Sequence, residues 1–128
     1  MIKDNIFDVV KTALRGKYSD NIYISDTPLS NTVPSFPAVS IVCVNNTINQ
    51  AHSTFGKAEN VAIADYSVDV YSNDIDTKDE EAREIAELIS DTFTQHRYYR
   101  TAFNPVDNLL DSSIARYNAK FRKTDIVG

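Results

Sequence analysis

Glycine and cysteine are scarce in this chain, and each scarcity excludes a class of site. Among the 128 residues there are three glycines, Gly16, Gly56 and Gly128, which lie far apart. A Rossmann or P-loop phosphate site in its usual form needs a glycine-rich turn, so both are excluded. The single cysteine, Cys43, cannot form an internal disulfide, and nothing calls for an oxidising compartment. Because Cys43 lies in an apolar run, we expect it to be a small core residue.

Long apolar runs are also missing. No stretch approaches the roughly 20 apolar residues that a membrane-spanning helix needs. The N-terminal sequence MIKDNIFDVVKTAL carries acids where a secretion signal has a continuous apolar region. We therefore expect a soluble protein in a cytoplasm-like compartment, without a membrane partner. The net charge of −5 argues against a general polyanion binder, although it leaves a local basic patch open.

The stretch from residue 61 to residue 95 predicts a strand, a tight turn and a long helix. In the strand, residues 61–72, alternate side chains are apolar: Ala62, Ala64, Tyr66, Val68 and Val70. Thr77 with Glu80 matches a capping box at the start of the helix. One helical stripe is apolar: Ala82, Ile85, Ala86, Ile89 and Phe93. We expect the strand and the helix to pack together through these two faces.

The remaining patterns complete an α+β fold. An amphipathic first helix is expected to end at Gly16 as its C-cap. Strands are expected at residues 21–25, 38–44, 98–103 and 112–123, and the 38–44 strand is apolar on both faces. We predict a mostly antiparallel or mixed β-sheet of four to five strands, with two helices packed on one face. The length favours a single domain covering residues 1–128.

Residues 45–60 form a long polar segment between two predicted strands. Connections of this length are usually functional, flexible or the arms of an extended hairpin, and the sequence leaves these alternatives open. Phe55 lies near the middle of the segment. Since an exposed aromatic side chain on a projecting loop often anchors a partner, we include Phe55 among the candidate contact residues.

Motifs for catalysis or metal binding are not found. His52 and His96 have no cysteine, histidine or acid at zinc-site spacing, and the acids between residues 74 and 81 lack the glycine of a calcium loop. We interpret those acids as a turn and a helix start. A carboxylate hydrolase would need two acids that converge in a cleft, and the sequence gives no sign of this. We expect no enzyme activity and no cofactor or metal.

Charged side chains instead follow the outward faces of two predicted strands. Asp65 and Asp69 share one such face, and Arg116, Lys120 and Arg122 share the other. If the strands are neighbours, these charges pair within one sheet, each pair contributing at most about 1 kcal/mol. If they are not, acidic and basic stripes face different neighbours, as in a ring with heterologous contacts. A solvated mixed-charge face is the third alternative.

Four segments resemble the phage tail terminator, or tail completion, proteins. They are FPAVSI at residues 36–41, YSVDVYS at 66–72, DTKDEEAREIAELI at 76–89 and SIARYNAKFR at 113–122. In that family a long strand precedes the main helix, and a strand rich in aromatic and basic residues closes the chain. The resemblance extends over roughly residues 36–123, and it lies in the order and chemistry of the elements.

The resemblance implies a structural role in the virion. Such proteins form a ring, typically a hexamer, on the head-proximal end of the tail tube after assembly in the host cytoplasm. The ring stops tube polymerisation and offers a surface to the head–tail connector protein, while DNA passes without sequence-specific binding. The family has no catalytic residues to carry over. For the subunit or tube interface we predict Phe55, Asp65, Asp69, Arg116, Lys120 and Arg122.

Three alternatives to a tail terminator stay open at the level of sequence. The chain could be another head–tail connector or neck protein of similar size. It could be a small enzyme that uses the acids of the face carrying Asp65 and Asp69. It could also be a free-standing binding module outside any virion.

Overall fold

Five strands and two helices follow one another in the part of the chain that the structure describes. The structure is a computed structural model that describes residues 4–18, 21–28, 35–54, 57–106 and 113–127, with side chains outside 48–60 and 126–127. The elements are α1 (Ile6–Tyr18), β1 (Tyr23–Ser25), β2 (Ala38–Thr54), β3 (Lys57–Ser72), α2 (Lys78–Gln95), β4 (Tyr99–Val106) and β5 (Ala115–Val127). Neither of these helices is long and apolar enough to cross a membrane.

The strands form one mixed sheet in the order β1-β2-β3-β5-β4. β1 runs parallel to β2, and the other three pairings are antiparallel. The long β2–β3 hairpin and the β3–β5 pairing make up the centre of the sheet. The predicted α+β class, with a mixed sheet and two helices on one face, is confirmed.

The core lies between the helices and one face of the sheet. Ile6, Val10 and Leu14 of α1 and Ile85, Ile89 and Phe93 of α2 are buried in the same cluster as the apolar faces of β2, β3 and β5. The ring of Phe93 stacks on Phe121 with centroids 4.3 Å apart, and Tyr66 and Tyr98 pack against Phe93 at 5.6 and 5.0 Å. The predicted inward faces of the 61–72 and 112–123 strands are therefore confirmed.

Both predicted helix ends differ from the observed ones. α1 continues through Gly16 to Tyr18, so the prediction that Gly16 caps the helix is wrong. A β-carbon at Gly16 would meet no atom within 4 Å, so this glycine fills no tight space. At α2 the capping box does not form, because Thr77 makes no side-chain cap hydrogen bond. Asp74 acts instead: its Oδ1 accepts hydrogen bonds from the N–H groups of Asp76 and Thr77, both at 3.0 Å.

The sequence left three alternatives for the polar segment 45–60: a functional connection, a flexible one, or the arms of an extended hairpin. The structure shows an extended hairpin. β2 continues to Thr54 and β3 begins at Lys57, with Thr54 paired to Lys57. Phe55 lies outside the described residues, and so does the side chain of His52. The predicted contact role of Phe55 therefore stays a prediction.

The core position predicted for Cys43 is wrong, since this side chain is exposed. β1 pairs only with residues Ala38 to Ser40, so β2 beyond Ser40 has no described strand on its outer edge. A bulge at Val44 then interrupts the register between Cys43 and Asn45. The strand that is apolar on both faces is thus partly an edge, with Val44 61% exposed.

The last two strands extend beyond the ends that were predicted from the sequence. β4 does not stop at Asn104 but passes through Pro105 to Val106, which is possible because an edge strand tolerates a residue without an N–H. β5 extends to Val127, where its end pairs with Asn60 of β3. β1 is shorter than predicted and begins at Tyr23.

Candidate functional site on the outer face of the sheet

The face of the sheet opposite the helices, which we call the outer face, carries the predicted charged residues. Antiparallel pairing of β3 with β5 places Asp65 opposite Arg122 and Asp69 opposite Asn118. The two strands are neighbours, so the acids and bases meet within one sheet. Among the alternatives left open by the sequence, pairing within the sheet is the one that the structure shows.

Asp65 and Arg122 form a bidentate ion pair. Arg122 Nε donates to Asp65 Oδ1 at 2.7 Å, and Nη2 donates to Oδ2 at 3.1 Å. Asn45 Nδ2 donates to the same carboxylate at 3.3 Å. The hydrogen bonds from Arg122 hold the pKa of Asp65 below its ordinary value, although partial burial acts in the opposite direction. Asp65 is therefore a fixed acceptor and not a free acid.

Asp69 lies in a second network, four residues further along β3. Its Oδ1 accepts from Arg116 Nε at 3.1 Å, from Arg116 Nη2 at 2.9 Å and from Asn118 Nδ2 at 3.0 Å. Asn118 also donates to Ser67 Oγ and to the Val68 carbonyl, both at 3.3 Å. The guanidinium of Arg116 lies 5.5 Å from the ring centroid of Tyr71, within cation–π range. This network fixes Arg116 on the outer face, as the Asp65 network fixes Arg122.

Lys120 is the exception among the predicted charged residues. It is exposed on β5 between the two networks, and no ion pair involves it in the part of the chain that the structure describes. A shallow hollow of about 390 Å³ opens beside it. The outer-face residues that line this hollow are Val44, Asp65, Ser67, Thr101, Lys120 and Arg122.

Two β-bulges border the hollow, one on each side. The first, at Val44 in β2, falls beside the Tyr66 and Asp65 positions of β3. The second, at Thr101 in β4, falls beside the Phe121 and Lys120 positions of β5. Bulges bend a strand and raise its local twist, and here both occur at the same level of the sheet. The hollow is therefore a product of the curvature of the sheet.

Sequence reasoning found the charged residues but missed the hollow and its border. Val44, Thr101 and Tyr99 were not predicted as site residues, and a bulge has no residue signature of its own. A weak signal exists in β2, where the apolar alternation of Val42 and Val44 passes directly into Asn45 and Asn46. An extra residue in one strand produces such a break in period.

The arrangement favours binding over acid–base chemistry. Asp65 and Asp69 are four strand residues apart, which separates them by about 13 Å, more than the spacing of paired catalytic carboxylates. Each acid is also held by an arginine. Among the described residues, no group of three or more histidines, cysteines or acids is placed to hold a metal ion. The outer face offers fixed charge, one open lysine and a hollow.

Comparison with solved structures finds a protein of similar fold. The structure is similar to a chain in the virion of a native gene transfer agent (GTA) particle, with a TM-score of 0.60. The match covers 94% of this chain and 94% of that one, at 13% sequence identity. No protein-family model matches the sequence, and no curated protein matches it. At this identity the similarity establishes a shared fold.

Proposed function

We propose that the protein is a structural component of a phage-type virion, and specifically a tail terminator. In this role it forms a ring of six copies, the number typical of the tail terminator family that the sequence resembles, and the ring caps the head-proximal end of the tail tube. The observation that carries the proposal is the similarity of fold, over 94% of both chains, to a chain of a gene transfer agent virion. The resemblance of residues 36–123 to tail terminators points in the same direction.

The outer face supports a role in assembly. Its arginines and aspartates are held in fixed positions by the networks of Asp65 and Asp69, so a partner would meet a preorganised surface. Rigid, polar contact faces of this kind favour specific docking and register. The partners in this proposal are further copies of the chain, the tail tube protein and the head–tail connector protein. The net charge of −5 is compatible with DNA sliding through the ring.

The test joins assembly in solution with a genetic measurement. We expect light scattering at several concentrations, with and without purified tail tubes, to show a symmetric oligomer that binds one tube end. Deletion of the gene should give tails of uncontrolled length, and the wild-type gene supplied in trans should restore a uniform length. Tails of normal length after deletion would contradict the proposal.

A second candidate is a neck or head–tail connector protein, because the similarity of fold is to one chain of a whole virion and does not distinguish these roles. The location of the chain separates the two. Electron microscopy of labelled particles is expected to place it at the tube end, whereas a position at the portal would favour the connector. An enzyme acting through Asp65 and Asp69 would lose turnover on their double alanine replacement, and loss of assembly alone would count against it.

A further inference from the structure

Three large apolar side chains are exposed in the described part of the chain, and two of them border the outer-face hollow. Val44 is 61% exposed, Tyr99 49% and Ile75 95%. Val44 lines the outer-face hollow on the β2 side. Tyr99 is the register partner of Arg122, so it borders the hollow on the β4 side. Exposed apolar groups that border a hollow with polar surroundings are typical of protein contact sites.

The third apolar residue, Ile75, projects from the turn between β3 and α2. This acidic turn, residues 73–77, places Ile75 between Asp74 and Asp76, and the exposed acids Asp79 and Glu80 follow at the start of α2. The Asp74 carboxylate is already occupied by hydrogen bonds from the N–H groups of Asp76 and Thr77. The turn thus presents one apolar side chain surrounded by negative charge.

The side chains of the hollow are complementary to those of the acidic turn. It contains Val44 as an apolar wall and Lys120 as a cation without an ion pair in the described part of the chain, whereas Arg122 is held by Asp65. Neighbouring strands lie about 4.8 Å apart, so Val44 and Tyr99, three strands from each other, stand about 14 Å apart. That width suits a chain turn and exceeds a single side chain.

We infer that the acidic turn of one copy docks into the outer-face hollow of the next copy. Ile75 would enter between Val44 and Tyr99, and Asp76 and Asp79 would approach Lys120. The inference rests on the proposed ring and names its subunit contact. It also assigns Lys120 a role apart from the other predicted interface charges, since Asp65, Asp69, Arg116 and Arg122 are paired within the sheet.

The contact is heterologous because the turn and the hollow lie in different places. From Asp65 to Ser72 the chain advances seven residues along β3, which is about 23 Å. The turn begins beyond Ser72, so a copy cannot fill its own hollow. A contact between different patches repeats from copy to copy and closes into a ring when the rotation permits.

Two single substitutions test the two sides of the contact. Ile75→Asp removes the apolar side chain from the turn, and Lys120→Glu reverses the charge in the hollow. We expect each to weaken self-association by about tenfold or more, as central contact residues do. Both positions are exposed, so unfolding temperatures should stay at the wild-type value. The matched controls are Asn73→Asp, which adds a charge to the turn but keeps Ile75, and Lys11→Glu on α1, which reverses an exposed lysine elsewhere.

Mixing the two variants distinguishes a heterologous contact from other modes. The Ile75→Asp chain keeps an intact hollow and the Lys120→Glu chain keeps an intact turn, so an equal mixture should form a dimer with one good contact and nothing larger. Combining Lys120→Glu with Asp76→Lys and Asp79→Lys in one chain should restore association. Light scattering measures both results, with and without tail tubes.

The outcomes separate this contact from the proposed function. If the wild type assembles and both variants assemble equally well, the contact is wrong and the terminator proposal is untouched. If the wild type neither self-associates nor binds tubes, the terminator proposal is wrong and the contact with it. If the wild type self-associates through this contact but does not bind tubes, the contact stands and the terminator role fails.

Discussion

At the scale of single residues, two arginines organise the outer face by each holding an aspartate of the neighbouring strand. Arg122 holds Asp65 and Arg116 holds Asp69. The residue types were visible in the sequence, and so was their shared parity along each strand. Their pairing was not, because it depends on β3 and β5 being neighbours, although α2 and β4 separate them in the chain.

The ion pair of Asp65 should contribute to stability in a pH-dependent way. We expect Asp65→Asn to lower the free energy of unfolding by about 1 kcal/mol at pH 7. The folded pKa of Asp65 is depressed, so its contribution is present above the unfolded value of about 3.9 and is lost as pH falls through the folded value. Urea unfolding at pH 7 and pH 3 measures this, and the difference between the two proteins should be smaller at the lower pH.

Asp91→Asn is the matched control for that measurement. Asp91 is exposed on α2, and the described part of the chain shows no partner for it. The control should unfold like the wild type at both pH values. An Asp65→Asn protein that does the same at pH 7 would mean that the outer-face pair adds nothing to stability.

A buried tyrosine gives the opposite pH dependence. Tyr98 donates its hydroxyl to Asp4 Oδ2 at 2.9 Å, and burial is the main cause that raises the pKa of Tyr98 above its ordinary value. Its neutral form stabilises the fold below the unfolded pKa of about 10, and this contribution is lost as pH rises. Burial also raises the pKa of Tyr66 to about 12, with the same sign.

Tyr98→Phe tests this contribution. At pH 7 we expect the free energy of unfolding to fall by about 1 kcal/mol, because the Asp4 carboxylate loses the tyrosine donor and keeps Lys123 at 3.2 Å and the Ile6 N–H at 3.4 Å. Above pH 10 the variant should lose stability less steeply than the wild type, and the remaining slope should reflect Tyr66. Equal slopes from pH 9 to pH 11 would contradict the assignment.

At the scale of elements, the start of α2 has the spacing of a capping box, but the side chain that accepts the local hydrogen bonds is Asp74, which lies outside that motif. Thr77 and Glu80 have capping-box spacing, and Thr77 is the first residue before the helix. The acidic turn nevertheless folds so that the Asp74 carboxylate reaches the Thr77 N–H and hydroxyl. Glu81, in turn, accepts a hydrogen bond from Ser72 at 2.8 Å and connects the helix to the end of β3.

Asp74→Ala should therefore destabilise the protein more than Thr77→Ala does. Asp74 accepts three hydrogen bonds in the turn before the helix, and we expect their loss to lower Tm by about 4 °C in a domain of this size. The hydrogen bonds from Thr77 and Asp76 depress the pKa of Asp74, so the effect should disappear in acid. Glu80→Gln is the control and should leave Tm unchanged. The reverse order of the two main variants would restore Thr77 as the cap.

The two edges of the sheet also differ from what propensity alone indicates. β2 is an edge beyond Ser40 and β4 is an edge throughout, and each carries a bulge. Bulges, like Pro105 in β4, reduce the tendency of an edge to pair with another chain. The same bulges produce the hollow, so one local feature serves both edge protection and the shape of the candidate contact surface.

At the scale of the whole molecule, one aromatic cluster joins the helix layer to the sheet. Phe93 of α2 stacks on Phe121 of β5 and contacts Tyr66 of β3 and Tyr98 before β4. We expect Phe93→Ala to lower the free energy of unfolding by about 3–5 kcal/mol, a large part of the stability of a small domain. Thermal unfolding followed by circular dichroism measures the change.

Ile75→Ala is the matched control for the core substitution. Ile75 is apolar like Phe93 but 95% exposed, so its truncation should leave Tm unchanged. A loss below about 1 kcal/mol for Phe93→Ala would show that the cluster relaxes around the cavity.

The elements, their order and the faces they present could be predicted from the sequence. Periodicity of two in β3 and β5 and of three to four in α2 depends only on where apolar side chains fall along the chain, which is local information. The charged residues of the outer face followed from the same parity. The limits of the elements were less well predicted, because Gly16 and Pro105 stop an element only where no neighbour supports it.

Which residues meet could not be predicted from the sequence, because it depends on how distant segments pair. Strand order places Asp65 against Arg122, leaves Lys120 unpaired among the described residues, and exposes Cys43, which was predicted to lie in the core. The bulges at Val44 and Thr101 then align to form a hollow that no single segment encodes. Pairing between distant segments is a property of the folded sheet, since it depends on all of the strands at once.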